Sequence, residues 1–183
     1  SSALAGAVRV LRLHMQPAEQ IFTDIYRSNC WGDGESRSGP GSTVERTQPL
    51  RTELARLLRE LGVRSLLDLP CGDLNWMQYL EADLDWYIGA DIVRELVALN
   101  QHRFGRKNRR FVQLDLMRSE LPDAALILCR DCLPHLSQAD VRRALANVKR
   151  SRASYFLTTS FLATQTNRPI ATGQWQPLNL QRA

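Results

Sequence analysis

The stretch SLLDLPCGDLNW, Ser65 to Trp76, reads as a buried strand that runs into a tight turn and then a helix. Leu66, Leu67 and Leu69 form a short apolar run around Asp68, and Pro70, Cys71, Gly72 and Asp73 break it. Gly72 would allow the backbone of that turn to approach a ligand closely. A second apolar strand, Trp86 to Ala90, ends at Asp91, 23 residues after Asp68. That is close to the separation at which a dinucleotide fold sets its ribose-binding carboxylate. Two carboxylates at successive strand ends suggest one shared site.

Gly72 is the only glycine between Gly62 and Gly89, so no G-x-G-x-x-G can be written and a pyrophosphate cradle is not expected. The segment resembles motif I of the class I S-adenosylmethionine-dependent methyltransferases. The usual D-x-G-x-G stands here as D-L-P-C-G, which keeps Asp68 and Gly72 and replaces the first glycine by Pro70. YIGAD ending at Asp91 is similar to that family's ribose-binding strand end. FVQLD ending at Asp115 is similar to its adenine-side carboxylate, and LILCRDCLPHL to its fourth strand and substrate-side loop. The resemblance covers Ser65 to about Phe161. It implies S-adenosylmethionine as cofactor, with Asp68, Cys71, Gly72, Asp73, Trp76, Asp91, Ile92, Asp115, Leu116 and Arg130 around it, and Asp131 or His135 as a proton acceptor on the substrate side.

Each position has a plainer reading beside that one. Asp91 would also serve as a helix N-cap, Asp115 as an exposed strand-end acid, and Asp68 as a structural carboxylate bonding turn amides. Cys71 and Leu74 would shape the pocket, and Trp76 would wall it or belong to the core. His135 would equally cap the helix that follows. A general base is itself optional, because positioning and alignment drive much of a methyl transfer from a sulfonium. Cys129-Arg130-Asp131-Cys132 is a C-x-x-C, yet no second cysteine pair exists to complete a zinc site, and the pair brackets a strand end where a redox motif would open a helix. No metal site is expected.

The order of elements predicts the fold. Leu54, Leu57, Leu58 and Leu61 recur at helical spacing from Leu50, with Pro49 near the start and Gly62 at the end. Ile92, Leu96, Val97 and Leu99 mark a helix ending at Gly105, and Phe111–Leu116 and Ala124–Arg130 read as strands. Ser137 is a candidate N-cap, with Asp140 in the first turn and Val141, Leu145 and Val148 along one side, before a strand over Ser154–Thr159. Alternation of this kind predicts an α/β fold: a Rossmann-like, doubly wound, mostly parallel sheet with helices on both faces and ligands at the carboxyl ends of the strands.

Residues 1–47 read as an N-terminal extension and 48–183 as the core. The extension holds WGDGESRSGPGST, Trp31 to Thr43, whose Gly32, Gly34, Gly39 and Gly41 suit a mobile flap or a linker. Its S-G-P-G-S is similar to a stretch ahead of the core in a poorly characterised methyltransferase subgroup. Ser1–His14, with Arg9 and Arg12 but no acid, reads as a lead-in that faintly resembles a transit peptide. The polar stretch after Phe161 suggests a truncated chain or a short sheet. Thr172, Gly173 and Trp175 either line the acceptor side or belong to a loose end.

With 183 residues and 44% hydrophobic composition, one domain with a substantial core is expected, and charges interrupt every apolar run before membrane-spanning length. Four irregularly spaced cysteines favour a reducing, cytoplasmic setting. The net charge of +5 is scattered, and its densest run, RFGRKNRR at Arg103–Arg110, reads as a solvated loop. The Asn/Asp-Pro-Pro-Tyr/Phe tetrapeptide of amino-methylating nucleic-acid enzymes is absent after the fourth strand, so nucleic acid is not favoured as partner. The expected activity is methyl transfer to an oxygen or nitrogen of a small-molecule or sugar-like acceptor. The alternatives are a non-catalytic module that binds S-adenosylmethionine, a nucleic-acid methyltransferase, or a nicotinamide-dependent oxidoreductase.

Overall fold

The computed structural model describes residues 17–182, so the basic lead-in at Ser1–His14 lies outside the described residues. Five parallel strands form the sheet: β1 (Ser65–Asp68), β2 (Trp86–Asp91), β3 (Arg109–Gln113), β4 (Leu126–Cys129) and β5 (Tyr155–Thr158), in the order β3-β2-β1-β4-β5. β1 takes β2 on one side, Asp68 against Gly89, and β4 on the other, Asp68 against Leu128. The chain runs outward to β3 and returns to β4, so the order reverses beside β1. In such sheets the crevice for a ligand opens at that reversal, outside the carboxyl ends of the strands.

Alternation along the strands divides the core in two. Leu67, Leu69, Ile88, Ala90, Ile127 and Cys129 face one way, against α4 (Gln138–Arg150) and α1 (Ala18–Ser28). Leu66, Tyr87, Phe111, Leu126 and Leu128 face the other way, against α2 (Val44–Glu60) and α3 (Arg94–Phe104). The fold is therefore the expected Rossmann-like doubly wound α/β architecture. Among the described residues no helix is long and apolar enough to cross a membrane.

The structure corrects several sequence expectations. α2 begins six residues before Leu50, because the Thr43 side chain accepts from the Arg46 amide and caps it there, so the expected 47/48 boundary falls inside the helix. Pro49 sits within α2 rather than near its start. The helix expected after β1 reduces to one 3₁₀ turn, Met77–Tyr79: Asp73 Oδ1 accepts from the Asn75 amide, and Leu74 adopts a left-handed φ of 61°. No helix joins β3 to β4 either, since Asp115 Oδ1 accepts from the Met117 amide and closes a turn instead. The Ser137 cap of α4 is as expected, with its hydroxyl accepting from the Asp140 amide. The basic run at 103–110 spans the end of α3 and the start of β3, at the end of the sheet away from the crevice, and is mostly exposed.

Candidate functional site

A cavity of about 700 Å³ opens above the carboxyl ends of the strands, within the 300–1,000 Å³ range usual for small-ligand pockets. The twelve residues expected around the cofactor or as proton acceptors all line it: Asp68, Cys71, Gly72, Asp73, Trp76, Asp91, Ile92, Asp115, Leu116, Arg130, Asp131 and His135. They are brought together because each sits at or just beyond the end of a parallel strand. Leu74, by contrast, is packed into the core, and of the three tail candidates Trp175 reaches the cavity while Thr172 and Gly173 do not.

Asp91, at the end of β2, is buried at 6% exposure. Its Oδ2 accepts from the Gly72 amide at 3.2 Å and its Oδ1 from the Val93 amide at 3.0 Å. Backbone donors on both oxygens fix the carboxylate plane, and the carboxylate also lines the cavity, where it can accept further donors. Burial pushes its pKa up to about 6, against the pull of those amides. The N-cap of α3 is Val93, so Asp91 serves the turn ahead of the helix.

Asp68 ends β1 at 2% exposure, and burial lifts its pKa to about 7. Its partner is the Tyr87 hydroxyl, which donates to Oδ2 at 2.6 Å. Gly89 makes that contact geometrically available: a Cβ there would lie 2.5 Å from the Phe111 ring and 3.1 Å from Cε1 of Tyr87, so the two rings pass over the glycine. Tyr87, marked in the sequence only as part of a strand, supports the site. Asn100 was missed too. Its amide donates to the Gly72 carbonyl at 2.7 Å and ties α3 to the turn after β1.

The glycine-rich segment at 31–43 is docked, in contrast to the mobile flap expected from its composition. Asp73 explains why. Its carboxylate accepts from the Ser36 hydroxyl at 3.0 Å, the Arg37 amide at 2.8 Å and the Ser38 hydroxyl at 3.4 Å. Asn75 Nδ2 donates to Glu35 at 2.6 Å and to the Ser42 carbonyl at 3.0 Å. Gly72 stands at φ 55°, and a Cβ there would fall 2.3 Å from Ser38 Oγ, so the glycine admits the docked segment as well as shaping the turn. Arg130 closes the arrangement, donating to the Gly41 carbonyl at 2.8 Å and the Ser42 hydroxyl at 3.3 Å, with its guanidinium 5.5 Å from the Trp76 ring.

Beyond β4 the wall is aromatic. His135 lies on a 3₁₀ turn, Leu133–His135, with its ring 4.5 Å from that of Trp31. Its Nδ1 is 3.1 Å from the Gln174 carbonyl, and burial lowers its pKa. It therefore braces the C-terminal segment; the expected alternative, a cap on α4, is filled by Ser137. That segment folds back over the strand ends, with Gly173 and Gln176 amides donating to the His135 and Pro134 carbonyls at 2.8 and 3.0 Å. Asp131, with φ 50°, pairs with Arg130 at 3.0 Å. Cys129 is enclosed in the core, and the neighbouring Cys132 thiol is pushed well above its ordinary pKa by Cys129 and by burial.

Residues 66–153 match a family described as a methyltransferase domain. The chain is 36% identical over 105 residues to subunit N of light-independent protochlorophyllide reductase from Synechococcus sp. (strain CC9902), over 51% of this chain and 25% of that protein. It is 34% identical over 127 residues to the same subunit from strain CC9311, over 59% of this chain and 29% of that protein. The chain thus spans between a quarter and a third of the curated relatives it matches. Among solved structures it is similar to magnesium protoporphyrin IX methyltransferase (ChlM) from Synechocystis PCC 6803 with bound SAM, with a TM-score of 0.55 and 16% identity, over 76% of this chain and 74% of that one. It is also similar to the N-methyltransferase NodS from Bradyrhizobium japonicum WM9 in complex with S-adenosyl-L-homocysteine, with a TM-score of 0.52 and 16% identity, over 68% and 65%. At these identities the likeness establishes the shared fold.

Proposed function

We propose that this chain is a class I S-adenosylmethionine-dependent methyltransferase that acts on an oxygen or nitrogen of a small-molecule acceptor. The observation that carries this reading is Asp91: a buried carboxylate at the end of β2, held by amides on both oxygens and open to the cavity. Vicinal ribose hydroxyls offer two donors at the matching spacing. The methyltransferase family match over 66–153 and the bound cofactors named for the ChlM and NodS structures support the same reading. The reductase name of the curated relatives is not carried over, because so little of their length is shared.

With ribose on Asp91, the strand order supports a reading of the remainder. Asp115 and Leu116, beyond β3, would take the adenine; the turn from Asp68 to Asp73, beyond β1, would take the methionine end. Trp76 and Arg130 would close the cavity above it, with Ile92 beneath the ribose. Bound there, S-adenosylmethionine would supply an electrophilic methyl to the acceptor's lone pair. Asp131 and His135, beyond β4, would receive the acceptor's proton.

Calorimetric titration with S-adenosylmethionine, S-adenosylhomocysteine and NADH tests the cofactor. Saturable binding of the first two, lost in Asp91→Ala, is expected. Binding of NADH instead, or of nothing, would overturn the reading, and tight cofactor binding without turnover of any acceptor would leave a binding module in its place.

A further inference from the structure

The strand order locates the acceptor, given the cofactor reading above, on which this inference rests. Adenosine over the ends of β3 and β2 and the methionine end over β1, the next strands being β4 and β5, would leave the reactive methyl facing the ends of those two. That part of the cavity has a distinct composition. Trp31 lies 4.5 Å from His135 at a tilt of 39°, Phe22 approaches Trp31 at 6.3 Å, and Phe161 meets Trp175 edge-on at 5.9 Å. The four aromatic residues and His135 all line the cavity. Trp175 is 52% exposed, a large apolar ring left uncovered beside a concavity.

Two of the charged groups that line this part of the cavity are partnered. Arg130 is engaged by Gly41, Ser42 and Asp131, and Asp131 in turn by Arg130. A polyhydroxylated acceptor would lose its water to this wall and find few partners, and each unpaired hydroxyl would cost roughly 1–3 kcal/mol. A flat ring loses nothing comparable, and stacking on tryptophan adds to its binding.

His135 supplies the remaining piece. The Gln174 carbonyl is only an acceptor, so the contact at 3.1 Å requires the proton on Nδ1 and leaves the Nε2 lone pair as the ring's basic site. One imidazole is a far closer match for a phenolic hydroxyl, which ionises near pH ~10, than for an aliphatic alcohol.

We propose that the acceptor is a flat aromatic compound bearing a hydroxyl group, held between Trp31 and Trp175 and deprotonated at that hydroxyl by His135 Nε2. The phenolic oxygen forms the bond to the methyl carbon, the carbon–sulfur bond breaks with its electrons on sulfur, and the phenolic proton ends on Nε2, from which water removes it. The products are an aryl methyl ether and S-adenosylhomocysteine.

The test uses the whole chain with S-adenosylmethionine and three probes, catechol, 2-naphthol and methyl β-glucopyranoside, reading S-adenosylhomocysteine formed. Turnover of the aromatic alcohols but not of the glucoside is expected. Trp175→Ala should raise the KM for 2-naphthol roughly tenfold while S-adenosylhomocysteine affinity, which reports an intact cofactor half, stays within about twofold. His135→Gln should lower kcat by about a hundredfold and remove the acidic limb of its pH profile. Turnover of the glucoside alone, or a KM indifferent to Trp175→Ala, overturns the inference with the cofactor reading intact. So does a cofactor-binding chain that neither binds nor methylates either aromatic. Failure of wild-type protein to bind S-adenosylhomocysteine overturns the cofactor reading itself.

Discussion

Tyr87 donates its hydroxyl to Asp68 at 2.6 Å across two parallel strands, reaching over Gly89 to a carboxylate that burial lifts to a pKa of about 7. The register opposes Asp68 to Gly89 and Leu66 to Tyr87, so the tyrosine serves a residue two places along its neighbour. Without that hydroxyl, Asp68 Oδ2 has no donor among the described residues. Tyr87→Phe should therefore cost about 1–3 kcal/mol of unfolding free energy at pH 8, where Asp68 is ionised, and less at pH 5, where it is neutral. Urea denaturation at the two pH values measures this, and equal losses at both would contradict it.

The two raised carboxyls also set a pH dependence. Asp68 and Asp91 rise from about 4 when unfolded to about 7 and about 6 in the cofactor-free fold. Between those limits the folded state holds more protons than the unfolded one, so stability declines as pH rises. The contribution is whole below pH ~4 and gone above about 7. Asp140, lowered by its partners, acts oppositely, with stability lost as pH falls. A comparison isolates the effect: from pH 5 to 8, Asp68→Asn should lose less stability than wild type. Parallel curves would remove Asp68 from the account.

How far the sequence led is clear from particular residues. The strand ends were legible because the apolar runs before Asp68 and Asp91 leave little choice of element, and parallel pairing then converges those ends on one cavity. α4 was legible from Ser137 and its first-turn acid. Tyr87 was not, because its role depends on the register with β1 and on a glycine two residues away. Asn100 depends on the distance between α3 and the turn, which no local pattern carries. The docking of 31–43 was hidden for another reason: glycine-rich composition describes the freedom of an isolated chain, whereas Ser36, Arg37 and Ser38 are held by one carboxylate 35 to 37 residues away.

Ribose hydroxyls favour an ionised Asp91, so cofactor affinity should follow that carboxylate. Above pH ~6 it should be nearly constant, and below it should weaken by about tenfold per pH unit as the proton competes. Calorimetry with S-adenosylhomocysteine at pH 5 and pH 7.5 reads this. Asp91→Asn should be weak and flat with pH. A wild-type affinity unchanged down to pH 5 would place the ribose elsewhere.

Gly72→Ala probes the joint between the turn and the docked segment. The substitution faces two independent costs: a left-handed φ of 55°, worth roughly 1–2 kcal/mol for a residue with a Cβ, and a collision with Ser38 Oγ at 2.3 Å. A shift of the serine would weaken its bonds with Asp73 and release the loop that roofs the cavity. The expected result is a loss of about 1–3 kcal/mol in stability and faster amide exchange over 36–42. Ser38→Ala in the same background removes the collision but not the backbone cost, so it should recover the stability in part. Ser38→Ala alone calibrates the loss of its own bonds with Asp73, and a double variant whose loss equals the sum of the two single losses would mean that Ser38 does not press on the turn.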